Sequence, residues 1–162
     1  MPKTVTINPP KAGDVLFNVD EKVFPDHKAN KGDKAYVFMH TVPFEGSVAL
    51  VNMLTATRLQ RKGFELHFVL FGPGVLLASA ARGYPSVGTD GFPGNLGYNK
   101  QLKTLMDEGA KVYACRFAMG ALYGMREDDL IPGVTAINPL DVLDANIQAW
   151  KERAIVMTTW TL

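Results

Sequence analysis

Two short segments of almost unbroken apolar sequence limit the folds open to this chain. Residues 35–42 read AYVFMHTV and residues 65–71 read ELHFVLF, and each is followed at once by Pro or Gly. Strands that are apolar on both sides of the pleat are typical of the centre of a parallel sheet covered by helices. Residues 46–62, which join the two segments, have helical spacing and end at Gly63. This order favours a strand–helix–strand unit.

The rest of the chain continues the alternation. Further strands are predicted at residues 112–114, 134–137 and 154–162, and helices at residues 75–82, from about 95 to 108, at 117–123 and from 139 onward. A long loop is predicted at residues 83–97, where five glycines and two prolines disfavour regular structure. The sequence therefore predicts an α/β fold in three layers, α/β/α, around a mostly parallel five-stranded sheet.

The last predicted helix carries clear local signals. Asn138 and Pro139 suit its N-cap and first position, and Asp141 lies in its first turn. Its apolar residues recur at intervals of three or four and are predicted to form its buried face: Leu140, Leu143, Ile147 and Trp150.

Residues 1–33 differ in composition from residues 34–162. Prolines punctuate the first segment and a cluster of lysines closes it. We expect residues 34–162 to form one domain and residues 1–33 to be an N-terminal extension. The extension either packs on its own domain or reaches a neighbouring subunit as an arm.

Charge and motifs exclude several classes of function. The 17 basic and 16 acidic residues give a net charge of +1, so neither nucleic acid nor a membrane is an expected partner. A single cysteine forms no internal disulfide, and the three histidines are far apart in sequence, so no metal site is predicted. No phosphate-binding glycine motif is present, and no cofactor is predicted. A cytoplasmic protein is expected, since the start has no apolar core of the signal-peptide type.

The one cysteine, Cys115, occupies the most informative position in the chain. It lies where the third predicted strand meets a short helix, and Arg116 follows it. A helix N-terminus and a cation both favour a thiolate, which predicts a reactive thiol. The alternative is a structural cysteine, since a lone buried thiol often behaves as a small apolar side chain.

Four other residues are candidates for a binding site around Cys115. His40 lies near the carboxyl end of the first strand, the edge of the sheet where Cys115 is also expected, and a histidine there holds a thiolate or shuttles its proton. Glu45 follows and either orients His40 or is solvated. Arg116 and Tyr123 lie close to the thiol in sequence. For His40 and Arg116 an ordinary structural or surface role stays open.

The stretch VYACRFAMGALYGMREDDLIPGV, together with VFMHTVPFEGSVALVNMLTATRLQRKGFELHFVLFGPGV, resembles the DsrE/DsrF-like family of small sulfur-relay proteins. The resemblance covers about residues 35–162. Within that family, the chain is more similar to a branch named for response to nitrogen starvation. That branch has an N-terminal extension like residues 1–33.

The resemblance implies a parallel α/β/α domain that assembles into trimers or hexamers. In the sulfur-relay members the cysteine at the position of Cys115 carries a persulfide that is passed between proteins. The dedicated partner subunits of those members are not visible in this sequence. Two functions are therefore open. The first is an oligomer that binds a small metabolite or a protein partner near Cys115 under nitrogen limitation, which we favour. The second is a sulfur carrier that uses Cys115.

Overall fold

The computed structural model describes residue 11 and residues 22–42, 48–80 and 93–159. The strands are Lys34–Met39 (β1), Glu65–Leu70 (β2), Lys111–Cys115 (β3), Thr135–Ile137 (β4) and Ile155–Thr158 (β5). The α-helices are Val48–Arg61 (α1), Pro93–Asp107 (α2) and Pro139–Lys151 (α3). Shorter helical segments are a 3₁₀ helix at Gly72–Ala78, a π-helix at Ala118–Leu122 and a 3₁₀ turn at Glu127–Asp129.

The five strands form one sheet in the order β4-β3-β2-β1-β5, and every neighbouring pair is parallel. This arrangement confirms the predicted α/β fold. The chain moves from β1 through β2 and β3 to β4 in one direction and then returns across the sheet to β5. Because crossovers between parallel strands are right-handed, α1 and α2 lie on one face and α3 lies on the other.

The side chains of the strands divide between the two faces in the same way. Val37, Phe68 and Val112 are neighbours in register and lie on the α1–α2 face, where all three are buried. Tyr36 and His67 alternate with them and lie on the α3 face. The Tyr36 hydroxyl donates to Glu152, just beyond the end of α3, at 2.9 Å.

The helix ends follow the signals in the sequence. Gly63 has a φ of 99°, the left-handed conformation expected after the last turn of α1. Asn138 accepts a hydrogen bond from the Leu140 N–H at 2.9 Å, and Asp141 accepts one from the Asn138 N–H at 2.8 Å. The predicted N-cap of α3 is therefore confirmed, as a capping box.

Several predicted boundaries are wrong by a few residues. β1 ends at Met39 rather than at residue 42, and a single 3₁₀ helix at Gly72–Ala78 replaces the predicted turn and helix. α2 begins at Pro93, inside the loop predicted for residues 83–97. Proline in the first turn is compatible with a helix, since its missing N–H has no partner there anyway. The glycines of this segment therefore do not prevent the helix from starting.

The predicted buried face of α3 is wrong. Leu140 and Trp150 are 69% and 78% exposed, and Leu143 and Ile147 are exposed as well. Small side chains approach the sheet instead: Ala149 is fully buried, and Val142 and Ala145 pack against the core. The large apolar residues do share one face of the helix, but that face points away from the sheet.

The carboxyl ends of β1 and β2 are packed too closely for larger residues. A Cβ on Gly74 would lie 2.1 Å from the Met39 carbonyl oxygen, and a Cβ on Gly72 would lie 2.4 Å from the His40 ring. Gly72 also has a φ of 50°. Glycine at both positions lets the 3₁₀ helix return against the end of β1.

Part of the N-terminal extension packs on this domain. The Ala29 N–H donates to the Lys62 carbonyl at 2.9 Å, and the Lys62 ammonium pairs with Asp26. Residues 22–33 thus lie against the end of α1. The predictions for residues 1–10 and 12–21 lie outside the described residues.

Candidate functional site

A cavity of about 440 Å³ lies at the carboxyl edge of the sheet, with Cys115 in its wall. We call it the Cys115 cavity. It is bounded by the ends of β2 and β3, by the segment that follows Cys115 and by the first half of α3. Its walls are mainly apolar: Phe71, Gly72, Cys115, Phe117, Ala118, Leu122, Pro139, Val142, Leu143 and Asn146. The volume is within the range of small-molecule sites.

Cys115 is the last residue of β3, as predicted, but its surroundings differ from those of an activated thiol. It is 5% exposed, and its thiol makes no hydrogen bond or ion pair with any residue in the described ranges. The segment that follows it contains the π-helix Ala118–Leu122. Short π-helical segments of this kind are often found at functional sites. The thiol therefore belongs to an apolar wall and lies beside an unusual helical turn.

Arg116 does not face the thiol. Its Nε donates to the Glu127 carboxylate at 2.6 Å, and the two side chains are 53% and 59% exposed. This pairing raises the pKa of Arg116. The guanidinium is held at the surface by an acidic partner, so the structure gives it no contact with Cys115.

His40 lies on the side of the Phe71–Gly72 turn that faces β1. The centroid of its ring is 4.9 Å from the centroid of the Phe71 ring. The His40 ring also packs against Gly72, where it occupies the place that a Cβ would take. Since the Cys115 thiol makes no hydrogen bond with a described residue, His40 does not hold the thiol in this structure. Both residues are at the carboxyl edge, as expected, and the turn that lines the cavity contacts His40.

The remaining two candidates are less informative. Tyr123 is half-buried at the end of the π-turn, where it packs against the core and its N–H donates to the Gly120 carbonyl. It is not part of the cavity wall. Glu45 lies outside the described residues.

The exposed face of α3 continues into the Cys115 cavity. Leu143 belongs both to the apolar stripe of α3 and to the cavity wall. Across the cavity mouth, Phe117 and Leu122 are 62% and 55% exposed. The stripe and the mouth therefore form one apolar surface, of the kind that marks an interaction site. We call it the α3 surface.

A second cavity, of about 310 Å³, lies between the opposite flank of α3 and the sheet. We call it the tyrosine cavity. Tyr36 and Tyr113 line it together with His67, whose ring stacks on Tyr36 with centroids 4.5 Å apart. Sequence reasoning missed it, although the sequence held a signal. Each of the first three strands begins with a charged residue followed two positions later by Tyr or His, at Lys34/Tyr36, Glu65/His67 and Lys111/Tyr113.

Hydrogen bonds and burial fix the charges around the tyrosine cavity. Lys34 and Gln148 bond to Glu152 at 2.7 Å each, and with Tyr36 they lower the pKa of Glu152 to about 2. Burial, with the nearby Lys111 charge, lowers the pKa of His67, so its ring is neutral at pH 7. Burial, with the Glu152 carboxylate, raises the pKa of Tyr36.

Two further observations concern the described residues only. None of their helices has the length and apolarity of a membrane span. They also contain no cluster of three or more His, Cys, Asp or Glu side chains suited to a metal ion.

Comparison with known proteins gives the fold. Neither a protein-family model nor a curated protein sequence matches this chain. Among solved structures, the chain is similar to the YchN protein from E. coli, with 17% identity and a TM-score of 0.59 over 78% of this chain and 98% of that one. It is also similar to MTH1491 from Methanobacterium thermoautotrophicum, a protein of unknown function, with 19% identity and a TM-score of 0.57 over 78% and 99% of the two chains.

A third similar structure is BT1422 from Bacteroides thetaiotaomicron, a conserved protein of unknown function, with 13% identity and a TM-score of 0.53 over 77% of this chain and 94% of that one. At these identities the likeness concerns the fold alone. The chain has the five-stranded parallel α/β fold of the DsrE-like type.

Proposed function

We propose that this protein is an oligomeric binding protein of the nitrogen-starvation response and that the Cys115 cavity receives the apolar part of a small metabolite or of a protein partner. The observation that carries this proposal is the joining of the cavity to the exposed apolar residues of α3. The described part of the cavity lining is mainly apolar and contains no charged side chain, which suits an apolar group.

The surroundings of Cys115 favour binding over thiol chemistry. A reactive thiol needs access and a nearby positive charge, but Cys115 is almost fully buried and Arg116 pairs with Glu127. A binding function requires neither. We therefore assign Cys115 to the cavity wall as a contact residue.

The exposed apolar faces of α3 and α1 support assembly into a trimer or hexamer. A ring of three copies needs one head-to-tail interface, and pairing two rings needs a second. The α3 surface is the candidate for one of them. A separate exposed stripe on α1, formed by Val48, Val51 and Leu54, is the candidate for the other.

The place in the nitrogen-starvation response rests on the resemblance of residues 35–162 and of the N-terminal extension to that branch. We expect the amount of this protein to rise in cells shifted to medium without a nitrogen source. An unchanged amount on an immunoblot would remove this part of the proposal and leave the binding function in place.

Alkylation of Cys115 tests whether the cavity leads to the thiol. Phe117 stands exposed at the cavity mouth, so Phe117→Ala should open the cavity and speed the reaction of the native protein with iodoacetamide several-fold. Phe24→Ala, which removes an exposed ring that does not line the cavity, is the matched control and should leave the rate unchanged. Equal rates in all three proteins would show that the cavity gives no route to Cys115.

The alternative function, a sulfur carrier, is kept because the thiol lines a cavity at the carboxyl edge of the sheet. An acceptor thiolate would attack the outer sulfur of a Cys115 persulfide and the Cys115 thiolate would leave. Mass spectrometry of the native protein decides between the two functions. A gain of one sulfur atom on the peptide with Cys115, absent from Cys115→Ser, would establish the carrier.

A further inference from the structure

The tyrosine cavity is separate from the Cys115 cavity and differs from it in chemistry. The two lie on opposite flanks of α3, and no residue that the structure describes lines both. The Cys115 cavity is almost wholly apolar, whereas the tyrosine cavity combines an apolar floor with acidic residues on α3. Its occupant can therefore be considered independently of the function proposed above.

The unpaired charge in the tyrosine cavity is negative. Lys34 is neutralised by Glu152 at 2.7 Å. On α3, one carboxylate oxygen of Asp141 accepts the Asn138 N–H. Asp144 is exposed at the rim of the cavity, and its carboxylate makes no hydrogen bond or ion pair with any residue of the described ranges. The carboxylate is therefore available to a ligand that enters the cavity.

The other polar groups of the cavity are also compatible with a ligand that carries a positive charge and donates hydrogen bonds. The Tyr113 hydroxyl lies 3.4 Å from His67 Nδ1, and its oxygen keeps at least one lone pair in either tautomer of the histidine. His67 itself is neutral at pH 7 because burial lowers its pKa. It therefore adds no positive charge that would repel a cation.

The volume of the cavity limits the size of the ligand, and the apolar residues of its lining indicate that most of the ligand is apolar. Val69, Ile137 and Ala145 supply apolar surface beside the tyrosine rings. A volume of about 310 Å³ lies at the lower end of the range for small-molecule sites. The space suits a short apolar or aromatic body with a single charged head.

We propose that the tyrosine cavity binds a small primary amine, whose ammonium group is held by the Asp144 carboxylate and the Tyr113 hydroxyl and whose apolar body lies against Val69, Ile137 and Ala145. Charge-assisted hydrogen bonds to a carboxylate are about twice as strong as neutral ones, so the ammonium head carries the selectivity.

Three probes that share one body test the charge of the head. They are 2-phenylethylamine, 2-phenylethanol and 3-phenylpropionate, titrated into the ¹⁵N-labelled full chain and followed by NMR. The amine should shift the backbone amides of Asp144, Ala145 and Tyr113 saturably, and the alcohol and the acid should bind at least about tenfold more weakly. Absence of a saturable shift with the amine, or equal affinity for the alcohol, overturns the proposal.

Three variants then locate the contacts. Asp144→Asn should weaken the amine about tenfold, and Tyr113→Phe should weaken it about threefold. Asp128→Asn removes an exposed carboxylate that is not part of the cavity lining and is the matched control, so its affinity should equal that of the native chain. If Asp144→Asn binds the amine as well as the native chain, or if Asp128→Asn loses as much affinity, the amine is not held as proposed.

Discussion

The α1–α2 face of the sheet and its α3 face are built from the same strands, but they are covered differently. On the α1–α2 face, two helices and a 3₁₀ helix leave Val37, Phe68 and Leu77 fully buried. On the other face a single helix, α3, approaches the sheet through small residues. A cavity remains on each of its flanks.

The difference indicates where stability and binding reside in this fold. The α1–α2 face carries the dense part of the core, where every methylene contributes to stability. The α3 face combines two cavities, polar side chains and an exposed apolar stripe. We therefore assign stability mainly to the first face and recognition to the second.

The largest effect should come from removing a core ring on the α1–α2 face. Phe68→Ala should lower the free energy of unfolding by about 3–5 kcal/mol, because it deletes a fully buried ring and leaves a cavity. Leu140→Ala, on the α3 surface, is the matched control and should cost less than about 0.5 kcal/mol in protein dilute enough to be a single chain. Urea denaturation measures both. Similar losses in the two variants would remove the contrast between the faces.

A smaller effect should come from adding one methyl group at two glycines. Gly74→Ala should cost about 2–3 kcal/mol, because its Cβ would lie 2.1 Å from the Met39 carbonyl oxygen. Gly120 lies in the π-helix beside the Cys115 cavity, and a Cβ there would have no described neighbour within 4 Å, so Gly120→Ala should be tolerated. Thermal unfolding of both variants checks this. A Gly74→Ala protein as stable as Gly120→Ala would contradict the close packing at the end of β1.

Sequence patterns predicted the fold well because they report on strands and helix ends. The apolar runs of β1 and β2 predicted the parallel sheet. The Asn138 cap predicted where α3 begins. The same patterns misplaced the apolar face of α3, because periodicity shows that Leu140, Ile147 and Trp150 share a face but not what that face contacts. An apolar stripe looks the same whether it packs on its own sheet or faces outward.

The site was predicted only in part for a related reason. Cys115 at the end of β3 followed from a change in local pattern. The pairing of Arg116 with Glu127 depends on a turn that brings residues 11 positions apart together. The two cavities depend on how far α3 stands from the sheet, and spacing along the chain does not report that distance.

The smallest effect concerns the contact that holds the end of α3 to β1. Glu152→Gln should cost about 1 kcal/mol at pH 7, because Glu152 bonds to Lys34 and Tyr36 and its side chain is three-quarters buried. The pKa of Glu152 is about 2 in the folded chain, below its ordinary value. Its stabilisation is therefore present above about pH 4.5 and is lost as the pH falls towards 2.

Urea unfolding between pH 6 and pH 2 measures this effect. The native chain should lose more stability over that interval than Glu152→Gln, whose side chain does not titrate. Parallel curves for the two proteins would show that the bonds from Lys34 and Tyr36 to Glu152 do not stabilise the fold.

The central proposal is that the α3 surface is a recognition face and that its apolar stripe on α3 contacts other copies of the chain in solution. Light scattering at micromolar concentration tests it most directly. The native protein should have three or six times the mass of one chain, and Ile147→Glu, which places a charge within the stripe, should lower the mass. Lys31→Glu, at an exposed site outside the stripe, should keep the native mass. A native protein with the mass of a single chain, or an Ile147→Glu protein with the native mass, would contradict the claim.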